Sequence, residues 1–109
     1  MKDNFENLIS GYFSVGTVII SKEVGEKVNF HELLRILRSH ANCNWDNLAE
    51  EDQRLNLEAA KSHTGFVFSK YELNGVWYWI VTDFTSNITT VMTEEEGERL
   101  YKEKRDGFS

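Results

Sequence analysis

Proline is absent from the 109 residues of the chain, and cysteine occurs once, at Cys43. A single thiol cannot close an internal disulfide, so order must come from a packed core rather than from covalent staples. No Gly/Ser-rich linker, low-complexity block or repeat of roughly 20–50 residues interrupts the chain, which reads as one continuous globule. Long apolar runs are also missing, and none approaches the roughly 18 residues of a membrane span. Excess positive charge is absent too: 12 Lys and Arg against 18 Asp and Glu leave −6. That balance disfavours general binding to phosphate backbones. The opening residues, MKDNFENLIS, carry neither the basic leader nor the apolar stretch of a signal peptide. These absences predict a single domain over residues 1–109, with residues 1–10 and 105–109 as loose ends, in a reducing, cytoplasmic setting with no membrane partner.

What the chain does contain is aromatic and periodic. Gly16 to Ser21 (GTVIIS) is a β-branched run of strand type, bounded on its far side by the charged stretch KEVGEK. Asn29 and Glu32 have the spacing of a capping box. Phe30, Leu33, Leu34, Leu37 and Ala41 then recur at helical spacing and predict one buried stripe. After the polar turn ANCNWDN around Trp45, a second helix is predicted from about Ala49 to about Ser62. Its first turn holds Glu50, Glu51 and Asp52, Gly65 stands to stop it, and Leu48, Leu55 and Ala59 mark a thin inner stripe.

Asn74-Gly75 is the hairpin signal, since this pair readily takes the two positive-φ positions of a type I′ turn. A two-residue loop sets Leu73 against Val76, Tyr71 against Tyr78, Ser69 against Ile80 and Val67 against Thr82 on one face. Phe66, Phe68, Lys70 and Glu72 then oppose Asp83, Val81, Trp79 and Trp77 on the other. Seven of the fourteen aromatic residues lie between Phe66 and Phe84, so this ribbon supplies much of the core. The segment ITTVM predicts a third antiparallel strand, and Thr93 with Glu96 opens a last helix of about 94–104 whose apolar face is essentially Leu100 and Tyr101. So narrow a face predicts light packing against the sheet. The fold class expected is α+β: a three- to four-stranded, mainly antiparallel sheet with about three helices packed on one side.

Candidate chemistry is sparse. His40 and Cys43 have an H-x-x-C spacing, with His63 one helix away, yet structural zinc wants four ligands and usually several thiolates. His40 is expected instead at a polar helix terminus, near the last carbonyls. The same His–Cys spacing across a helix end does not define a base aligned on a nucleophile. Asp46, Glu50, Glu51 and Asp52 lack the glycine and terminal Glu of an EF-hand loop, and a helix start favours acids without any ligand. Asn87-Ile88-Thr89 matches a glycosylation sequon but reads as a turn. Trp77, Tyr78 and Trp79 could form a base-stacking platform, but Lys70 is the sole cation from Gly65 to Met92. No metal and no cofactor is expected.

One set of motifs resembles a known family. The run LLRILRSHANCNWDNLAEEDQRLNLEAAK, then GFVFSKYELNGVWYWIVTD, then ITTVMTEEE, is similar to small uncharacterised proteins encoded on plasmids, conjugative elements and phages. That family shows an Arg-His pair, a Gly-Asp-Trp-Gly-Asp-Leu segment, a downstream Asp…Asn helix, a Ser-Ala-Tyr strand and a Trp-Ile-Ile-Thr-Glu strand leading to Thr-Thr. The matching positions here are His40, Trp45, Leu48, Asp52, Asn56, Ser69, Tyr71, Trp79, Ile80, Thr82, Thr89 and Thr90, within residues 14–97. Cys43-Asn44 and Asp46-Asn47 depart from the Gly-Asp pairs, and Asp83 stands in place of Glu. The resemblance implies a mobile-element accessory protein and no particular reaction.

The motif also has a physical reading. Trp45 would cap the core, and Asp52 and Asn56, four apart on one helical face, could bond the turn or a neighbouring strand. The function expected is that of a noncatalytic modulator acting through protein contacts, with its binding surface on an exposed aromatic face at Trp77, Trp79 and Phe68. A homodimer through that face is a variant of the same idea. Two alternatives stand beside it. One is a small enzyme with a polar site of His40, Asp52 and Asn56 around the Trp45 turn. The other is an acidic nucleic-acid mimic, which needs the carboxylates of the second and last helices to form one stripe.

Overall fold

The computed structural model describes Ile9 and residues 11–107, with side chains as far as Tyr101. The elements run β1 (Thr17–Ile20), α1 (Lys22–Lys27), α2 (Phe30–Ala41), α3 (Glu50–Ser62), β2 (Phe66–Leu73), β3 (Val76–Asp83), β4 (Ile88–Thr93) and α4 (Glu94–Gly107). The strands form one sheet in the order β1-β4-β3-β2, an α+β architecture. The loose ends expected at 1–10 and 105–109 lie outside the described residues, except that Ile9 is buried and residues 105–107 continue α4.

The β2–β3 hairpin has the register that Asn74-Gly75 predicts, from Leu73 against Val76 down to Phe66 against Asp83. Asn74 and Gly75 both take positive φ, 54° and 83°, which a type I′ turn requires and only a few residue types tolerate. β4 adds antiparallel to β3, with Ile80 opposite Val91 and Thr82 opposite Thr89. β1 closes the sheet parallel to β4, Thr17 against Ile88 through Ile20 against Val91. A parallel neighbour needs a long crossover, and here α1, α2, α3 and the hairpin supply it.

KEVGEK is a helical turn of its own rather than a mere boundary. The Ser21 hydroxyl accepts the Val24 N–H, Glu23 pairs with Lys27, and Val24 is driven into the core. α2 carries the Asn29/Glu32 capping box and buries Leu33, Leu34, Ile36, Leu37, His40 and Ala41. Phe30, expected in that stripe, is 50% exposed, whereas Leu33 and Leu34 one turn on are buried. α3 is rotated from its expected face: Leu55 is 48% exposed, while Asn56 and Ala60 point inward. His63, in the left-handed conformation, ends α3 two residues before Gly65.

The helices do not gather on one side. β-strand alternation gives the sheet two faces. The first, with Val67, Ser69, Tyr71, Tyr78, Ile80, Thr82, Thr89 and Val91, is buried in the main core beneath α2. The second bears Phe68, Trp79, Val81 and Met92, and α4 lies over it. Both hairpin faces are partly apolar, so helices on one face alone would leave the other wet. Close approach explains how so narrow a helix covers it. A Cβ at Gly97 would overlap Cε3 of Trp79, so glycine lets the α4 backbone rest on the indole.

Candidate functional site

His40 leaves the last turn of α2 pointing into the core, not toward the helix-end carbonyls, because its position falls on the apolar stripe. Its Nδ1 lies 2.5 Å from Ser69 Oγ on β2, and its Nε2 lies 2.8 Å from Thr82 Oγ1 on β3. Thr82 Oγ1 is 2.6 Å from Thr89 Oγ1 on β4, and the Thr89 hydroxyl donates to the Val15 carbonyl at 2.6 Å.

Proton counting orders these bonds. Thr89 spends its one proton on Val15, so Thr82 must donate to Thr89, and the Nε2–H of His40 must donate to Thr82. Nδ1 is left to accept from Ser69. Every group is satisfied by a neutral ring, and burial pushes the His40 pKa down to about 3. The ring of Phe13 packs edge-on at 5.3 Å, and the Trp45 indole N–H donates to the His40 carbonyl. His40 therefore ties α2 to three strands.

Asn56 performs a similar task at the sheet edge. Its amide oxygen accepts the Phe68 N–H at 3.0 Å, and its NH2 donates to the Phe68 carbonyl at 2.6 Å. This side chain stands in for the missing strand neighbour of β2. Two residues along, Asn47 donates to the Lys70 carbonyl at 3.0 Å. Tyr71 donates to the Asn44 carbonyl, and desolvation pushes its phenol up to about 12.

The candidate polar motif of His40, Trp45, Asp52 and Asn56 thus does not converge on a cleft. His40, Trp45 and Asn56 are buried: Trp45 bonds the His40 main chain, the His40 ring is taken by Ser69 and Thr82, Asn56 bonds Phe68, and Asp52 is exposed. Spacing alone suggests a shared face for Asp52 and Asn56, but the edge of β2 draws in only Asn56. The half-buried Cys43 thiol is pushed up by desolvation, which lowers its thiolate fraction. Among the described residues, no three His, Cys, Asp or Glu side chains gather to hold a metal ion. Thr89 of the sequon is buried in the sheet.

The aromatic face is rearranged by α4. Trp79 is half-buried beneath Gly97, donates its indole N–H to Glu94 at 3.1 Å, and contacts Phe68 edge-on at 5.0 Å and Tyr101 at 6.2 Å. Trp77 is half-buried under the Lys70 ammonium, 5.6 Å from its ring. Trp79 is therefore a docking post for α4 rather than the centre of an open patch. Beside it, α4 and the sheet leave a groove of about 190 Å³ lined by Val81, Asp83, Ile88, Met92, Leu100 and Tyr101, with Phe66 also on its wall. Phe66 is 58% exposed and Leu100 43%. Phe66 escapes notice in the sequence because it reads as one more alternating strand residue; only the course of α4 leaves it uncovered.

The acids of the two helices lie apart. Glu50, Glu51 and Asp52 open α3, which packs beside β2, whereas Glu94, Glu95 and Glu96 open α4 directly after β4. Arg54 pairs with both Glu51 and Glu58, which neutralises part of the α3 surface. Among the described residues, no helix is long and apolar enough to cross a membrane. No protein-family model, no curated protein and no solved structure matches the chain.

Proposed function

We propose that the protein is a noncatalytic accessory protein, of the mobile-element kind the resemblance implies, that works in the cytoplasm by binding a partner protein. The observation that carries this reading is the fate of His40. The side chain best suited to acid–base work in the polar motif is fully buried, kept neutral and consumed at both ring nitrogens. What remains accessible beside α4 is a groove of mixed lining: the exposed apolar Phe66 and Leu100 flank it, Asp83, Ser86 and Thr90 add polar groups, and its size takes one or two side chains of a partner.

The binding surface accordingly moves from Trp79 to the Phe66–Leu100 side of the same face, with Phe68 beside it and Trp77 six residues away along the hairpin. The mimic alternative is disfavoured by the separation of the two acidic helix starts. The enzyme alternative is disfavoured by the dispersal of its three residues.

Affinity purification of the intact protein from its native host, compared with a Phe66→Glu/Leu100→Glu double variant, tests this reading. Both positions are exposed, so the variant should keep the wild-type circular dichroism. It should lose a partner that the wild type retains. Retention of every partner by the folded variant would refute the surface.

A further inference from the structure

The two edges of the sheet are treated differently. At β2 the outward N–H and C=O of Phe68 are both taken by Asn56, and the outward carbonyl of Lys70 is taken by Asn47. At β1 the inward groups are known from the ladder: the Thr17 N–H donates to the Asn87 carbonyl and the Ser21 N–H to the Val91 carbonyl. Alternation then turns the N–H and C=O of Val18 and Ile20 away from β4. Neither residue has a partner for these groups among the described residues. Ile19 is 46% exposed and Ile20 38%, and no charged side chain occurs from Phe13 to Ser21 to guard the edge. Open edges of this kind are usually blunted with charge or a covering element.

We infer that β1 is a strand-addition site for an extended, uncharged segment of a partner protein, with apolar side chains at alternate positions, which joins the sheet as a fifth strand. The inference rests on the partner-binding reading only in requiring a protein partner; the surface is a separate one. Main-chain groups can be met at strand spacing only by another strand, which sets the occupant's conformation.

A second copy of the chain is a poor occupant. Two β1 edges would meet along four residues each, about 13 Å of strand. A stable dimer needs about 800 Å² and about 20–30 residues a side. A flexible segment is not limited in this way. Thr17 and Ile19 sit in register with Ile88 and Thr90, both of which line the groove, so an added strand continues that face.

The test is amide exchange by NMR on the full chain, using as probe the blocked peptide acetyl-KVTVTVK-amide, whose uncharged VTVTV segment is the strand and whose end lysines keep it in solution. In the free protein, Val18 and Ile20 should exchange freely while Thr17 and Ser21 are protected. Millimolar peptide should slow exchange at Val18 and Ile20 at least tenfold. Ile20→Pro removes an outward N–H that the fold does not use and should abolish the effect. The Phe66→Glu/Leu100→Glu variant should keep it, which separates this claim from the groove. The inference is overturned if the peptide protects nothing at the edge, if protection appears only at the groove, or if Ile20→Pro binds equally well. A dimer in sedimentation equilibrium that Ile20→Pro dissociates would also overturn it, by assigning the edge to a second copy.

Discussion

At the residue scale, His40 shows how a chemically versatile side chain becomes a fastener. A neutral imidazole has one donor and one acceptor on opposite sides, and here each finds a hydroxyl on a different strand. Replacing His40 with Ala opens a cavity and takes from Ser69 and Thr82 the ring nitrogens they bond, leaving Thr82 only its bond to Thr89, at a cost of about 3–5 kcal/mol. Urea unfolding should report that loss as a lower midpoint with an unchanged slope. His40 is legible in the sequence as a helix-end residue, and its inward turn is not, for a physical reason. Helical spacing puts it in line with Ile36, Leu37 and Ala41, but the hydroxyls that make such burial tolerable lie 29 and 42 residues away. Local spacing does not reveal partners at that separation.

At the scale of elements, α3 and α4 each include one close contact whose loss is directly measurable, Asn56 on Phe68 and Gly97 on Trp79. Asn56→Ala should cost about 1–3 kcal/mol, because it leaves the Phe68 N–H and C=O partly buried without partners. Thermal unfolding by circular dichroism is a sufficient readout. Gly97→Ala should drive a methyl group into Trp79, costing about 1–3 kcal/mol from overpacking, less about 1 kcal/mol of helix propensity regained. Lifting α4 would wet the indole, so tryptophan emission should shift to the red.

Much of this level is legible in the sequence. The Asn74-Gly75 hairpin, both capping boxes and the general extent of α2 and α3 follow from local chemistry. The inner face of α3 does not, because Leu55 outranks Asn56 in hydropathy and only the open edge of β2 reverses that order. The side taken by α4 is hidden as well: Leu100 and Tyr101 make a narrow face, and Gly97 has no side chain to signal that it is the seat for Trp79.

At the scale of the whole molecule, acid sensitivity follows from the buried ring. His40 has its ordinary pKa of 6.5 in the unfolded chain and about 3 in the folded one. Below about 6.5 the unfolded state binds the extra proton, so stability falls as pH drops and levels off near 3. A tenfold change in proton affinity corresponds to about 1.4 kcal/mol, so the whole window amounts to roughly 5 kcal/mol. Glu96 acts in the same direction. The Thr93 N–H, desolvation notwithstanding, holds its carboxyl below the ordinary value, and that contribution is also lost on acidification. Urea midpoints measured from pH 7.5 to 4 should therefore decline from about pH 6 onward.

The net charge of −6 also sharpens at this scale. Residues 43–64 hold five acids against two bases, and residues 93–109 six against four. Most of the acidity thus belongs to two helices on different parts of the sheet, while the strands are nearly neutral. Polar side chains hold the sheet together, His40 across its strands and Asn56 at the β2 edge, while β1 carries no charged residue.

His40 as a structural bridge, unavailable for proton transfer, is the point on which the noncatalytic reading turns. Long-range ¹H–¹⁵N NMR of the folded protein from pH 8 to 4.5 observes that ring itself. A single neutral Nε2–H tautomer is expected throughout, with no titration in that range. A ring that carries its proton on Nδ1, or that titrates near 6.5, would contradict the bridge.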